Sequence, residues 1–141
     1  MTALAFAPDG KSLASAGDGD VLSLWEVATG RERRQLTPRG RPGFRLHAEG
    51  YRHPDAVSLR FNALVFAPDG QTLLGGRGDG GVYVWDLTAD RPVRAVYGHR
   101  EEVTCLAVCG DGKTVASASV DRTVLVWDIA ALRRALGDMD R

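Results

Sequence analysis

Residues 105–129 read CLAVCGDGKTVASASVDRTVLVWDI, and two other stretches of the chain repeat their pattern without gaps. Those stretches are ALAFAPDGKSLASAGDGDVLSLWEV at 3–27 and ALVFAPDGQTLLGGRGDGGVYVWDL at 63–87. In all three, an Asp-Gly pair precedes a tryptophan by the same distance, and Trp25, Trp85 and Trp127 are the only tryptophans present. A rare residue that recurs in register indicates an internal repeat. The chain is therefore expected to contain three copies of one structural unit.

Each copy is predicted to form an antiparallel meander. In the third copy, apolar residues alternate with small or polar ones over 103–108, 114–119 and 123–127, and this period of two is typical of strands with unlike faces. The intervening Asp-Gly pairs favour tight hairpin turns. A fourth, weaker strand is predicted at 32–36, at 92–97 and at 133–136, although residues 130–136 could equally form a short helix.

The third copy resembles the repeats of the WD-repeat family, which form the blades of β-propellers. The residues that carry the resemblance are Gly98-His99, Asp111-Gly112, Ser117-Ala118-Ser119, Asp121 and Trp127-Asp128. The resemblance implies an all-β partial propeller of three four-stranded antiparallel blades. These blades would span about 1–36, 61–97 and 98–137, with an insertion at about 37–60.

The resemblance also implies a buried polar tetrad in the third blade, formed by His99, Ser117 (or Ser119), Asp121 and Trp127. Trp25, Trp85 and Asp79 would belong to the repeat core of the first two blades. The second copy has Ala56-Val57 in place of Gly-His, and Gly75 and Arg77 in place of the two candidate serines. The first copy has Gly19 where the third has its turn aspartate. We therefore expect the first two blades to be held by apolar packing more than by such a tetrad.

The number of repeats is small for a propeller. Propellers typically close with 4–8 blades, so three blades would form an open arc with a bare face at each end. Three alternatives remain open at this point. The chain is a piece of a larger propeller, two copies assemble into one ring, or the end faces are polar enough for the arc to be stable alone.

The spacing of the copies reveals the insertion. Trp25 and Trp85 are 60 positions apart, whereas Trp85 and Trp127 are 42 apart. The added residues contain several prolines and glycines, which favour a loop, and the region carries a net positive charge while the whole chain has a net charge of zero. Arg39, Arg41 and Arg45 are candidate partner-binding residues for an acidic peptide, a phosphate or a nucleic acid. The simpler hypothesis is a solvated loop, and a nucleic-acid partner is not expected.

Other chemistry is not predicted from the sequence. Cys105 and Cys109 are too far apart along a strand for a disulfide and are expected to be free, buried thiols, which favours a reducing compartment such as the cytoplasm. The loop residues His47, Glu49, His53 and Asp55 match no known metal-ligand spacing. Neither a cofactor, nor a metal, nor a catalytic constellation, nor a signal peptide or membrane span is expected.

The sequence thus favours a non-catalytic scaffold for protein–protein interaction, with protein or peptide partners and with a homo-oligomer as one means of closing the ring. One alternative is a regulatory or sensor tail of a larger multidomain signalling protein. Another is an anion or nucleic-acid binder that acts through the arginine-rich insertion.

Overall fold

A computed structural model shows three antiparallel sheets that follow one another along the chain, and it describes residues 3–17, 21–36, 60–88 and 94–138. The strands of the first sheet are β1 (Ala3–Phe6), β2 (Ser12–Ala16), β3 (Leu22–Glu26) and β4 (Glu32–Leu36). The strands of the second sheet are β5 (Phe61–Phe66), β6 (Thr72–Arg77), β7 (Gly81–Asp86) and β8 (Arg94–Tyr97). In both sheets the spatial order is the chain order, so each sheet is a four-stranded meander.

The third sheet differs from the prediction of four strands. It contains β9 (Val103–Val108), β10 (Thr114–Ser119) and β11 (Val124–Asp128), followed by helix α1 (Ile129–Asp138). Of the two alternatives for the end of this copy, the structure has the helix. The Asp128 carboxylate accepts a hydrogen bond from the Ala131 N–H at 3.2 Å, and this contact caps one of the otherwise unpaired donors of the first helical turn. We refer to the sheets as blades 1, 2 and 3.

The three Asp-Gly turns form as the sequence predicts. Gly10, Gly70 and Gly112 all have a φ of 71°, which is the left-handed conformation that glycine adopts without strain. The preceding aspartate accepts a hydrogen bond from the backbone N–H two residues later, at 2.8, 2.8 and 2.9 Å in the three blades. The repeated sequence is therefore matched by repeated local geometry.

The blades lie side by side, with the first strand of each packed beside the first strand of the next: β1 contacts β5, and β5 contacts β9. One apolar cluster fills the junction between blades 1 and 2 and includes Ala14, Leu22, Phe61 and Trp85. A second cluster lies between blades 2 and 3. It includes Ala67, Leu74, Val84 and Val115, together with Ile129 and Leu132 of α1. The core is thus located in the two junctions between blades.

Helix α1 ties blade 3 back to blade 2. Besides the burial of Ile129 and Leu132, its Arg133 guanidinium lies 3.1 Å from a carboxylate oxygen of Asp69 and 3.7 Å from one of Asp86, both in blade 2. These ion pairs are partly exposed, so each is worth about 1 kcal/mol or less. The apolar contacts carry most of the stabilisation of the helix.

Candidate functional site

The polar residues that the sequence singled out in blade 3 lie within hydrogen-bond distance of one another. His99 Nε2 lies 2.7 Å from Ser117 Oγ, and His99 Nδ1 lies 3.2 Å from Asp121 Oδ2. The Trp127 indole N–H donates to the same Ser117 Oγ at 2.9 Å. Ser119 is not part of this hydrogen-bonded group, because its hydroxyl donates instead to the Glu101 carbonyl. His99 and Ser117 are buried, so their mutual bonds compensate the loss of water.

The Asp121 carboxylate is the most heavily hydrogen-bonded member of this group. Burial acts to raise its pKa, but hydrogen bonds from the Thr123 hydroxyl, the backbone N–H groups of Arg100 and Thr123 and the His99 ring outweigh it. The pKa of Asp121 is consequently held well below its ordinary value. The carboxylate therefore stabilises the native turn in its charged form.

Blade 2 contains a different polar network, which the sequence did not predict. The Tyr83 hydroxyl donates to Asp79 Oδ2 at 2.6 Å, and the Tyr97 hydroxyl approaches the same oxygen at 3.1 Å. The Arg77 guanidinium donates to the Tyr83 hydroxyl at 2.9 Å and packs over the rings of Tyr83 and Phe61. Blade 2 lacks the histidine and serine of blade 3, yet it is not held by apolar packing alone. The expectation was that apolar packing would hold this blade more than a tetrad of the blade 3 kind, and the structure adds a polar network of other residues to that packing.

The two tyrosines of this network are poor acids. Burial, then the charge of Asp79 and the hydrogen bonds to it, raise the pKa of Tyr83 far above its ordinary value. Burial and the Asp79 charge also raise the pKa of Tyr97. Both phenols therefore remain neutral hydrogen-bond donors, and Asp79 is the charged partner of Arg77, whose Nε lies 3.9 Å from it.

The three tryptophans are not equivalent. Trp85 is buried, whereas Trp25 and Trp127 are partly exposed. The indole N–H of Trp25 donates to Ser15 Oγ at 2.8 Å, but that of Trp85 has no hydrogen-bond partner among the described residues. The reason is Gly75, which occupies the place of the serine. A Cβ there would lie 2.9 Å from both Phe61 and Trp85, so the aromatic cluster excludes a serine.

Every blade has two unlike faces. Cross-strand pairs share a face, and the registers place the tryptophan of each blade on the same face as its neighbours in the pairs Leu13–Trp25, Leu73–Trp85 and Val115–Trp127. We call this side the tryptophan face and the opposite side, which carries only small and aliphatic residues at its centre, the aliphatic face. The tryptophan face of blade 2 packs on the aliphatic face of blade 1, and that of blade 3 packs on the aliphatic face of blade 2. Both junctions are therefore head-to-tail.

The turns follow the same head-to-tail rule. A methyl group at Gly70 would lie 3.9 Å from Pro8 of the preceding blade, and one at Gly112 would lie 3.4 Å from Pro68. Around Gly10 of blade 1, such a group would meet nothing within 4 Å among the described residues. The turns of blades 2 and 3 thus lie against the proline of the preceding blade, whereas the described residues leave the turn of blade 1 open on that side.

Two blade faces are exposed at the ends of the arc. On the tryptophan face of blade 1, Phe6 is 66% exposed, whereas Phe66 at the equivalent position of blade 2 is 7% exposed. On the aliphatic face of blade 3, Val126 is 68% exposed, whereas Val84 of blade 2 is 2% exposed. Leu4 and Val124 show the same contrast with their buried or nearly buried counterparts in blade 2. Positions that form junction cores inside the arc are thus solvent-exposed at its ends.

The two cysteines lie on one of these end faces. Cys105 and Cys109 are free and exposed, so the expectation that they are buried was wrong. Their counterparts in the repeat are Ala63 and Ala67 in blade 2, and Ala67 is buried in the junction with blade 3. Burial at these positions depends on a following blade, which blade 3 lacks in this structure.

Other residues considered from the sequence lie outside the described residues. This holds for Arg39, Arg41 and Arg45, and also for the histidine-containing group at 47–55. Within the described part of the chain, no three histidine, cysteine or acidic side chains are grouped as a metal site would require. The same ranges hold no helix with the length and hydropathy of a membrane span.

Comparison with known proteins agrees with this geometry. The family model described as WD domain, G-beta repeat matches residues 1–26, 49–86 and 90–128. Mouse transducin-like enhancer protein 2 is 30% identical over 72% of this chain but over only 11% of its own length. The Oryza sativa U3 snoRNP-associated protein-like YAOH is 28% identical over 76% of the chain and 21% of its own length. The groucho protein of Drosophila melanogaster is 28% identical over 72% of this chain and 12% of its own length. The chain thus spans between about a tenth and a fifth of these relatives, and it belongs to the WD-repeat family.

Proposed function

We propose that the chain is a non-catalytic scaffold for protein–protein interaction, which acts as part of a larger propeller or assembles into one. The observation that carries this proposal is the exposure of a blade face at each end of the arc. Phe6 and Val126 are solvent-exposed, whereas the residues at the equivalent positions of blade 2 are buried in the junctions between blades. Surfaces of this kind mark sites of association in soluble proteins.

The relatives support the class of function and not a particular partner. They are WD-repeat proteins, but this chain covers only a small part of each. Protein partners therefore follow from the repeats and the open faces, whereas the partners of the whole relatives do not transfer. The hydrogen-bonded groups around His99 and Asp79 are largely buried between strands, which favours a structural role for them over a catalytic one.

Binding of an apolar dye tests the proposal. At high dilution, the chain is expected to enhance bis-ANS fluorescence, and Phe6→Ser and Val126→Ser are each expected to reduce the enhancement. Val120→Ser is the matched control, because Val120 is similarly exposed but lies in the turn between β10 and β11. If the folded protein binds no dye, or if neither end-face substitution reduces binding, the end faces are not open docking surfaces.

A further inference from the structure

We propose that the partner of the two end faces is a second copy of this chain, with the aliphatic face of blade 3 in each copy docked on the tryptophan face of blade 1 in the other. The result is a closed ring of six blades. This inference rests on the proposed function, since it names the occupant of the same two faces.

The internal junctions show which surfaces fit together. Between blades 1 and 2, the bulky residues Phe61, Phe66 and Trp85 of one face pack against the small residues Ala14 and Ala16 of the other. Large side chains on one face thus fill the space left by small side chains on the facing one, and such interdigitation gives the density of a protein interior. Both junctions in the structure pair a tryptophan face with an aliphatic face.

The part of the chain that the structure describes leaves one blade face of each kind exposed. The end face of blade 1 presents its bulky residues Leu4, Phe6 and Trp25. The end face of blade 3 presents small and β-branched residues, and the pairing registers place on it Cys105, Ala107, Ala116, Ala118, Val124 and Val126. If two copies met through identical faces, bulky residues would lie against bulky residues where the two blade 1 faces met. Small residues would lie against small residues where the two blade 3 faces met. A head-to-tail contact between copies instead repeats the two junctions already present.

A ring built from this chain alone requires two copies. A head-to-tail contact generates a ring if it closes and an open filament if it does not. Propellers close with about 4–8 blades, and six is the only multiple of three in that range. Two copies therefore pair all four end faces in one closed assembly.

Charged substitutions on the two faces provide the test, with mass in solution as the readout. Sedimentation over the micromolar range is expected to give the wild-type protein twice the chain mass of 15.2 kDa. Phe6→Arg and Val126→Asp lie on opposite faces, so each alone disrupts both junctions of the ring and should weaken association at least about tenfold, because a buried unpaired charge is costly. Val120→Asp is the control and should remain a dimer. Circular dichroism checks that each variant is folded.

Mixing the two variants distinguishes the head-to-tail arrangement from all others. In an equimolar mixture of Phe6→Arg and Val126→Asp, one junction has two wild-type faces and the other has two charges of opposite sign. The dimer mass should therefore return. A Phe6→Arg dimer formed without its partner variant would instead indicate contact between two blade 3 faces, and would overturn the proposal.

Two further outcomes separate this inference from the function on which it rests. A wild-type monomer that binds bis-ANS at all concentrations would overturn the second copy as partner while leaving the end faces as docking surfaces for another protein. A wild-type monomer that binds no dye would overturn both, since a segment of the same chain would then cover the faces.

Discussion

The imidazole of His99 and the hydroxyl of Ser117 are joined by a 2.7 Å hydrogen bond, although one residue precedes β9 and the other lies in the middle of β10. The same hydroxyl accepts the indole N–H of Trp127 from β11. The Ser117 hydroxyl oxygen thus links the segment that enters the blade with two of its strands. Its removal leaves the buried His99 ring and the partly exposed Trp127 indole N–H without this partner.

Replacing this oxygen is expected to destabilise the protein. Ser117→Ala should lower the free energy of unfolding by about 1–3 kcal/mol, the cost of unpaired buried polar groups. Ser119→Ala is the matched control and should cost less than about 1 kcal/mol, because the Ser119 hydroxyl, at the end of β10, makes an exposed hydrogen bond to the Glu101 carbonyl. Urea denaturation measures both. Equal losses for the two variants would contradict a special role for Ser117.

Acid should weaken the native state through Asp121. Its pKa is lowered in the folded protein, so its stabilising contribution is complete above the ordinary aspartate value of about 3.9 and declines as the pH falls below it. The difference in unfolding free energy between the wild type and Asp121→Asn should therefore be largest near neutrality and shrink below about pH 4. A difference that does not change with pH would show that the carboxylate charge is unimportant.

The polar network of blade 2 should depend more on Tyr83 than on Tyr97. The Tyr83 hydroxyl joins Asp79 to Arg77, whereas the Tyr97 hydroxyl contacts Asp79 at a longer distance. Tyr83→Phe is expected to cost about 1–3 kcal/mol, because it leaves a buried guanidinium with fewer partners. Tyr97→Phe removes the same atom type from the same cluster and should cost less. Thermal denaturation of both variants decides the order.

The loss of unfolding free energy on replacing a tryptophan by alanine should increase with the burial of that tryptophan. Trp85→Ala is expected to cost about 3–5 kcal/mol as a large-to-small core substitution, since Trp85 lies in the junction between blades 1 and 2. Trp25→Ala should cost less under conditions that keep the chain monomeric, because Trp25 lies on the end face of blade 1 and is partly exposed. Equal costs in the monomer would mean that Trp25 is covered by a part of the same chain.

The arginine-rich insertion stays a prediction from the sequence. If it binds polyanions, replacement of Arg39, Arg41 and Arg45 by serine should abolish retention on heparin at low salt, and retention of the wild type should fall as salt increases. A charge-matched control replaces three exposed basic residues of blade 3, namely Arg100, Lys113 and Arg122. Retention that is equal for the two triple variants would argue against a binding role for the insertion.

The sequence was sufficient to predict the meanders and the Asp-Gly turns, because each depends on local spacing. The residues that meet around Ser117 were implied by the resemblance to the WD-repeat family, which left Ser117 and Ser119 both open. The sequence did not predict the blade 2 network, since Gly75 and Arg77 replace the expected serines. Arginine, tyrosine and aspartate side chains form the hydrogen bonds there instead. An arginine within an apolar strand, followed by Asp79 and Tyr83, was the available signal. Pairing of the helix with blade 2 was also not predicted, because it depends on tertiary contacts of Ile129, Leu132 and Arg133.

The exposure of Cys105 could not be inferred from its strand. Its alternation pattern is that of a core position. Ala63, at the same place in blade 2, pairs with Gly76 on the face that contacts blade 3. Whether such a position is covered depends on the presence of another blade beside it. The exposure of Cys105 is therefore set by what packs against blade 3, and not by the local sequence.

The reactivity of Cys105 and Cys109 provides the most direct test that the end faces are docking surfaces for a second copy. Both thiols lie at junction-equivalent positions on blade 3 and are exposed in the single chain. Their rate of reaction with a thiol reagent such as DTNB should be fast at high dilution and fall at least about tenfold at concentrations where the dimer mass appears. Val126→Asp should keep them reactive throughout. A rate that stays the same from the most dilute to the most concentrated sample would contradict docking at this face.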